Sequence, residues 1–319
     1  MSSPGQIRAM ILKSDGGFAR MKATRKLVEN HGVFGLKGSV YGYEKNKCTK
    51  DHPCPRLVTL YAKMGLHRYN LLKGTKFQLK CVEEYIVTTG SGAPSYYITL
   101  VAIDDTAGGG GSSSLQTFQI QVSQESRGQF ILTCDIARIR GESRDENESM
   151  ILDIDLPEWP AENPFEKYCL VKSELQDNDD WIRLYLELAL AIKEPRGVGV
   201  FNLEIVKVAT DVGEGINAKN ATFYIRYSDL SKAEDSDRIA IVRRSFDEDT
   251  GCFILVGQSH QSSDLIPKKR KNVGEESAEN KRINTGLGNQ ISSPPLATRE
   301  DDEAANQKIV NSDSGVSME

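Results

Sequence analysis

The sequence of 319 residues has few of the features by which broad functional classes are recognised. Its start, Met1–Gly5, has neither the charge nor the apolar core of a signal peptide. The apolar stretch Ala9–Leu12 is far shorter than the ~20 residues that a membrane-spanning helix needs. We therefore expect no membrane association, and a location in the nucleus with the cytoplasm as a second compartment.

Motifs for catalysis and cofactor binding are also missing. No phosphate-binding glycine loop occurs, and no serine or cysteine stands in a known dyad pattern. His67 lies within an apolar helical pattern, which is more typical of a packed histidine than of a general base. The Cys48-x3-His52-x-Cys54 pattern fits no common zinc spacing, even with His31 as a further ligand. The sequence thus predicts no enzyme, no cofactor and no metal site.

Net charge and cysteine content further limit the functional classes to which the protein can belong. A formal net charge of −5, from 40 basic and 45 acidic residues, argues against a dedicated DNA-packaging protein. Nucleus and cytoplasm are reducing, so all cysteines are expected as free thiols. These cysteines are Cys48, Cys54, Cys81, Cys134, Cys169 and Cys252.

An internal repeat organises the chain. The helical apolar pattern of Leu57–Met64 aligns with that of Trp181–Leu188, and Gly74 and Pro195 mark the ends of the two helices. Strand-like strings follow each helix in the same order: Phe77–Val82 with Phe201–Val206, Tyr96–Ile98 with Phe223–Ile225, and Glu125–Leu132 with Glu248–Leu255. This repeat predicts an α+β fold, in which one helix and a four- to five-stranded antiparallel sheet occur twice in tandem.

The pattern divides the chain into five segments. Val33–Tyr43 and Tyr168–Val171 are candidates for an extra edge strand in each sheet, and Trp159 is expected to dock on one module. The predicted segments are a basic N-terminal arm (1–30), a first helix-plus-sheet module (31–140), an acidic proline-containing linker (141–164), a second module (165–258) and a disordered tail (259–319).

The two ends of the chain carry basic residues. The tail is polar and almost without aromatics, so it is predicted to be disordered. It contains a basic cluster typical of a nuclear address read by an import carrier, formed by Lys268, Lys269, Arg270, Lys271, Lys281 and Arg282.

The N-terminal arm resembles a short basic amphipathic helix. Residues 1–56 hold eleven Lys/Arg against four acids, and Phe18, Met21, Leu27 and Val28 supply apolar positions. Such a helix is either simply solvated or in contact with nucleic acid or an acidic partner.

The helix-then-sheet order resembles the cystatin–monellin architecture. More specifically, a set of strings within residues 56–257 is similar to the plant male-sterility-five-like family, whose members are uncharacterised and expanded in the mustard group. The strings are Tyr61–Leu72, Ser95–Val101, Leu115–Gln119, Leu156–Pro160, Leu175–Asn178, Asp180–Tyr185 and Asn217–Tyr224. The resemblance implies no catalysis and points to reproductive development and meiosis.

Three functions follow as hypotheses. The first is a non-enzymatic nuclear protein that binds other proteins through exposed sheet edges. The second is cystatin-like inhibition of cysteine proteases, although the loops at 86–95 and 123–129 lack the Gln-x-Val-x-Gly and Pro-Trp motifs of such inhibitors. The third is nucleic-acid binding through the N-terminal arm.

Overall fold

A computed structural model describes most of the chain up to residue 266, within a compact unit that spans Met1–Lys269. Side chains at 4–15 and 172–179 lie outside this description. The described residues are 4–90, 92–104, 114–142, 154–167, 172–193, 202–210, 216–231, 237–248 and 251–266.

Five α-helices, one 3₁₀ turn and nine strands make up the described part of the chain. The helices are α1 (Pro4–His31), α2 (Arg56–Lys73), α3 (Pro164–Lys167), α4 (Lys172–Lys193) and α5 (Ser262–Leu265), and the 3₁₀ turn is Val33–Gly35. The strands are β1 (Tyr43–Lys47), β2 (Phe77–Thr88), β3 (Ser95–Asp104), β4 (Leu115–Gln124), β5 (Phe130–Ile139), β6 (Leu203–Thr210), β7 (Ala221–Asp229), β8 (Asp237–Phe246) and β9 (Phe253–Gln261).

All nine strands form one antiparallel sheet in the order β1-β2-β3-β4-β5-β9-β8-β7-β6. The first half (β1–β5 with α2) and the second half (β6–β9 with α4) meet where β5 pairs with β9. At this seam Phe130 lies opposite Gly257, and a Cβ on that glycine would lie 2.8 Å from the Phe130 ring. Glycine at 257 therefore leaves the room that the large ring needs.

Helices α2 and α4 cover one face of this sheet, which we call the helix face. Their apolar stripes, with Tyr61 and Met64 on α2 and Tyr185 and Leu188 on α4, belong to one core that includes strands of both halves. Gly65 of α2 allows a close approach, because a Cβ there would lie less than 3.0 Å from the Ile120 side chain. The two halves thus share a single apolar core.

The opposite face of the second half is covered by a strap, residues 154–163, together with α3 and α5. Trp159 in the strap packs against Phe165 of α3 and Tyr224 of β7, with ring centroids 6.0 and 5.6 Å away. The backbone carbonyl of Pro157 accepts a hydrogen bond of 2.6 Å from Gln258 of β9. The docking predicted for Trp159 is confirmed.

The predicted α+β class is confirmed, with a large antiparallel sheet and few helices. The expectation of a separate sheet in each half is wrong, because β5 and β9 pair edge to edge and make the sheet continuous. The paired edges bury apolar side chains of both halves, such as Leu132 and Leu255. A cystatin-like arrangement of tandem modules stays a prediction.

Some boundaries differ from those expected. Within the predicted strand 33–43, Val33–Gly35 is a 3₁₀ turn and the strand β1 begins only at Tyr43. Strand β9 extends to Gln261, inside the segment assigned to the tail. The predicted edge strand Tyr168–Val171 and the nuclear-address residues lie outside the described residues.

Cys48 and Cys54 form a disulfide, with their Cα atoms 5.0 Å apart, so the prediction of free thiols is wrong for this pair. A turn closed by the backbone hydrogen bond from Thr49 to His52, 2.9 Å long, brings the two cysteines together. The pair ties the end of β1 to the start of α2. Cys81, Cys134 and Cys252 are thiols, and Cys169 lies outside the described residues.

Candidate functional site

A cluster of polar and aromatic side chains, of which His67 and Trp181 are half-buried and the others buried, joins the two halves where α2 packs against α4. We call it the interhelical cluster, and it consists of His67 (α2), Trp181 and Tyr185 (α4), Phe223 (β7) and Arg244 (β8). His67 stacks on Trp181 with ring centroids 5.5 Å apart. The fully buried Arg244 guanidinium lies 5.1 Å from the ring centroids of both Trp181 and Phe223. The negative ring faces stabilise the cation at these distances.

The hydrogen bonds of the interhelical cluster run in one direction. Arg244 donates from Nη1 to the Tyr185 hydroxyl over 3.2 Å, and this hydroxyl lies 2.9 Å from Nε2 of His67. Because a guanidinium can only donate, the Tyr185 O–H is left to donate to His67, which places the imidazole proton on Nδ1.

The charge states agree with this direction. Burial, and secondly the nearby Arg244 charge, lower the pKa of His67 to about 3, so its ring is neutral. Burial raises the pKa of Tyr185 to about 12, partly offset by Arg244, so the hydroxyl keeps its proton.

Arg244 also holds a loop of the second half. Its Nη2 donates to the backbone carbonyl of Ile216 over 2.9 Å and to that of Ala218, both in the connection between β6 and β7. Among the described residues, its hydrogen-bond acceptors are a hydroxyl and backbone carbonyls, and no carboxylate pairs with it. The cation is therefore compensated by dipoles and ring faces.

The first half contains an uncharged counterpart of this arrangement. Gln124 and Arg244 occupy equivalent places, since their cross-strand partners Leu132 and Leu255 match in the repeat. Gln124 donates to the Tyr61 hydroxyl over 2.6 Å, just as Arg244 donates to Tyr185. The duplicated polar pair is thus neutral in one half and charged in the other.

The interhelical cluster has the properties of a contact that stabilises the packing of the two halves. His67 is enclosed by aromatic rings and accepts a hydrogen bond, so it is packed, as predicted, and not placed to take a proton from a substrate. Burial likewise raises the pKa of the Cys134 thiol to about 12 and that of Cys252 above its usual range. Among the described residues no acid, histidine and cysteine group could hold a metal ion.

Sequence reasoning missed Arg244, although a signal for it exists. In β8, Ala240 and Val242 point to the helix face while Ile239 and Ile241 belong to the apolar cluster on the opposite face. Continuing this alternation places Arg244 on the helix face, so the period of the strand marks it as a buried cation.

The two outer edges of the sheet differ in how well they are covered. At β1, residues 39 and 40 fold back along the strand: Val40 and Tyr43 exchange two backbone hydrogen bonds of 2.9 Å, and the Lys45 N–H donates to Ser39 Oγ over 2.9 Å. These bonds occupy outward-facing groups of β1. The first edge is therefore blocked for most of its length.

The β6 edge is more open. Strand β6 pairs only with β7, and no other strand among the described residues lies along its outer side. Arg183 covers its start by donating to the Leu203 carbonyl over 3.2 Å, and a bulge between Ile205 and Lys207 leaves the Val206 side chain 46% exposed. The stretch from Lys207 to Thr210 continues the regular ladder after the bulge, but Val208, Ala209 and Thr210 are buried, so the open part of this edge is Glu204–Lys207.

The N-terminal arm forms α1, a much longer helix than the short one expected. Thr24 is buried, and Val28 packs against an apolar cluster that contains Val33 and Leu36. Phe18 and Leu27 remain exposed, so within residues 16–31 one stripe of the helix is used for packing. No described helix is both long enough and apolar enough to cross a membrane.

Comparisons with known proteins agree on one family. The family described as Protein MS5 matches residues 156–255, from the strap to β9. The chain is 60% identical to UPF0725 protein At3g25080 of Arabidopsis thaliana over 49% of this chain and 95% of that protein. It is 41% identical to UPF0725 protein EMB2204 of the same plant, over 68% of this chain and 71% of that protein.

A solved structure shows the same likeness. The crystal structure of MS5 from Brassica napus is matched with a TM-score of 0.52 and 33% identity, over 67% of this chain and all of that chain. With relatives this similar over most of their length, the chain belongs to the plant male-sterility-five-like (MS5, UPF0725) family of uncharacterised proteins.

Proposed function

We propose that this chain is a non-enzymatic nuclear protein that binds a partner protein by adding a strand of the partner to β6. The observation that carries the proposal is the difference between the two sheet edges, of which β1 is covered by its own chain and β6 is not covered by a described strand. An extended peptide beside Glu204–Lys207, the least buried stretch of β6, would find backbone groups ready to pair, and such backbone hydrogen bonds supply affinity.

Two further observations support this choice. The interhelical cluster is packed between α2, α4 and the sheet, with Tyr185, Phe223 and Arg244 buried, which disfavours an active site there. The predicted basic cluster at Lys268–Lys271, with Lys281 and Arg282, suits an import carrier. Membership of the MS5 family is consistent with a role in reproductive development, and we place the partner there, in meiotic progression.

The β6 proposal is tested by placing a charge on the edge. Val206→Asp changes an exposed side chain and should leave the fold intact while disfavouring strand addition. The matched control is Leu115→Asp, which adds the same charge at a 52% exposed apolar position at the start of the interior strand β4. Full-length proteins would capture binding proteins from nuclear extracts of flower buds.

We expect the wild type and Leu115→Asp to capture a common set of proteins that Val206→Asp does not. Capture of the same set by Val206→Asp would refute a role for the β6 edge. The nuclear part is tested separately: replacing Lys268, Lys269, Arg270 and Lys271 by alanine should shift a fluorescent fusion to the cytoplasm. An unchanged nuclear signal would contradict the address.

A further inference from the structure

The N-terminal part of the chain carries an unusual surplus of positive charge for a protein that is acidic overall. Residues 16–50 contain only two acids, Glu29 and Glu44, against eight basic residues. The basic residues are Arg20, Lys22, Arg25, Lys26, Lys37, Lys45, Lys47 and Lys50. We call this region the N-terminal basic surface.

Most of these charges are not neutralised within the molecule. Lys45 bonds to Glu84 over 2.8 Å, and Arg25 pairs with Glu29 over 2.9 Å as an exposed ion pair one helical turn apart. Arg20, Lys22 and Lys26 are exposed, and none of them pairs with an acid among the described residues. An exposed pair such as that of Arg25 contributes little and can be exchanged for another anion.

Exposed aromatic rings lie in the same region. Phe18 is 64% exposed and Tyr41 is 53% exposed, and they are the two aromatic residues among the large, strongly exposed apolar side chains of the described chain. Phe18 shares a helix face with Lys22 and Arg25, four and seven residues further on. The ring therefore stands beside two cations.

The N-terminal basic surface is attached to the sheet. Thr24 is buried, and Val28 packs against the cluster of Val33, Leu36 and Ile86, the last of which belongs to β2. Near this cluster, the Phe34 ring contacts Tyr97 of β3 edge to face at 5.6 Å. The segment that carries the exposed cations and aromatic rings is thus anchored to the sheet by its buried side.

We propose that the N-terminal basic surface binds single-stranded nucleic acid. Lysines and arginines without acidic partners attract the phosphate backbone, and an exposed ring gives an unpaired base a face on which to stack. A duplex would offer phosphates but no free base face, so the exposed Phe18 favours a single strand. This activity is independent of strand addition at β6.

The test measures binding of the full-length chain to fluorescein-labelled oligo(dT) and oligo(U) of about 20 nucleotides by fluorescence anisotropy. The salt concentration is varied between about 50 and 200 mM. Three unpaired cations predict a slope of log K against log[salt] of roughly −2, at about −0.7 for each phosphate contact.

Two variants separate stacking from charge. Phe18→Ala should weaken binding roughly tenfold at every salt concentration and leave the slope unchanged, because a ring contributes no charge. The double variant Lys22→Glu with Lys26→Glu should make the slope shallower by about 1.4. The matched controls are Lys63→Glu, an exposed lysine on α2, and Leu230→Ala, a 55% exposed apolar residue, and both should bind like wild type.

Each alternative result contradicts the proposal. The first is that the chain does not bind the oligonucleotides at the lowest salt concentration. The second is that polyglutamate or phosphatidylserine vesicles compete with the oligonucleotides equally well and that Phe18→Ala binds like wild type. Circular dichroism melting curves of all variants should overlay, since every changed side chain is exposed. A variant that melts early would be replaced by Phe18→Ser or Lys22→Gln and measured again.

Discussion

Removing one hydroxyl from the interhelical cluster should destabilise the protein far more than removing its counterpart in the first half. In Tyr185→Phe, Nε2 of His67 loses its 2.9 Å partner and Nη1 of Arg244 loses its 3.2 Å acceptor. Each buried polar group left without a partner costs about 1–3 kcal/mol, so with two such groups the variant should lose about 2–6 kcal/mol of unfolding free energy.

The matched control is Tyr61→Phe. Its hydroxyl bonds to Gln124, a partly exposed side chain whose amide can turn to water, so the loss should stay below about 1 kcal/mol. Urea unfolding followed by circular dichroism measures both variants, and a loss of ~3 kcal/mol corresponds to a melting temperature roughly 6–12 °C lower. Equal losses in the two variants would refute the assigned hydrogen-bond chain.

Three other perturbations follow from the packing. The pKa of His67 is about 3 in the folded state, whereas its ordinary value is near 6.5, so below pH 6.5 the unfolded chain binds a proton that the folded chain does not. The free energy of unfolding should therefore fall by up to about 2 kcal/mol between pH 6.5 and 5. Urea titration measures this pH dependence, and His67→Gln should remove this part of it. Gly65→Ala should lower the stability measured by thermal unfolding by about 1–3 kcal/mol, because the new methyl group meets the Ile120 side chain. The control Gly38→Ala has open space around it and should be neutral. Equal effects of the two variants would contradict the close approach of α2 to Ile120. Trp159→Ala should release the strap, so limited proteolysis should cut within 154–163 much faster while the melting temperature changes little; an unchanged cleavage rate would contradict the docking.

Much of the fold follows from the sequence because local pattern and final structure agree there. The apolar stripe around Leu60 gives α2, and the αL conformation of Gly74, with φ of 66°, ends that helix where glycine predicts an end. The strings aligned in the repeat form strands in the same order in both halves. In these segments the spacing of apolar residues matches the period of a helix or a strand, because the apolar residues lie on the buried face of that element.

The joining of the two halves could not be read from local pattern. Pairing of β5 with β9 brings together residues more than a hundred positions apart, and both strands begin with a continuous apolar run, Phe130–Leu132 and Phe253–Val256, that is buried on both faces. Such a run is consistent with a strand buried on both faces, but it does not tell which strand is its partner. The opposition of Phe130 to Gly257 is visible only once the register is known.

The candidate sites, like the fold, include features that follow from local sequence pattern and features that do not. The sequence located the basic N-terminal arm and the packed His67, since both depend on composition and helical spacing. It missed the protection of β1, which depends on Ser39 and Val40 folding back, and the disulfide of Cys48, which depends on a tight turn. Contacts set by turns of a few residues are weakly encoded in periodicity.

Amide hydrogen exchange along the sheet tests most directly whether the duplicated halves form one continuous structure. If β5 and β9 are its centre, their amides should exchange as slowly as those of the interior strands β3 and β8, and much more slowly than those of β6. If β5 and β9 instead exchange as fast as the edge strand β6, the halves are separate modules and the sheet is not continuous in solution.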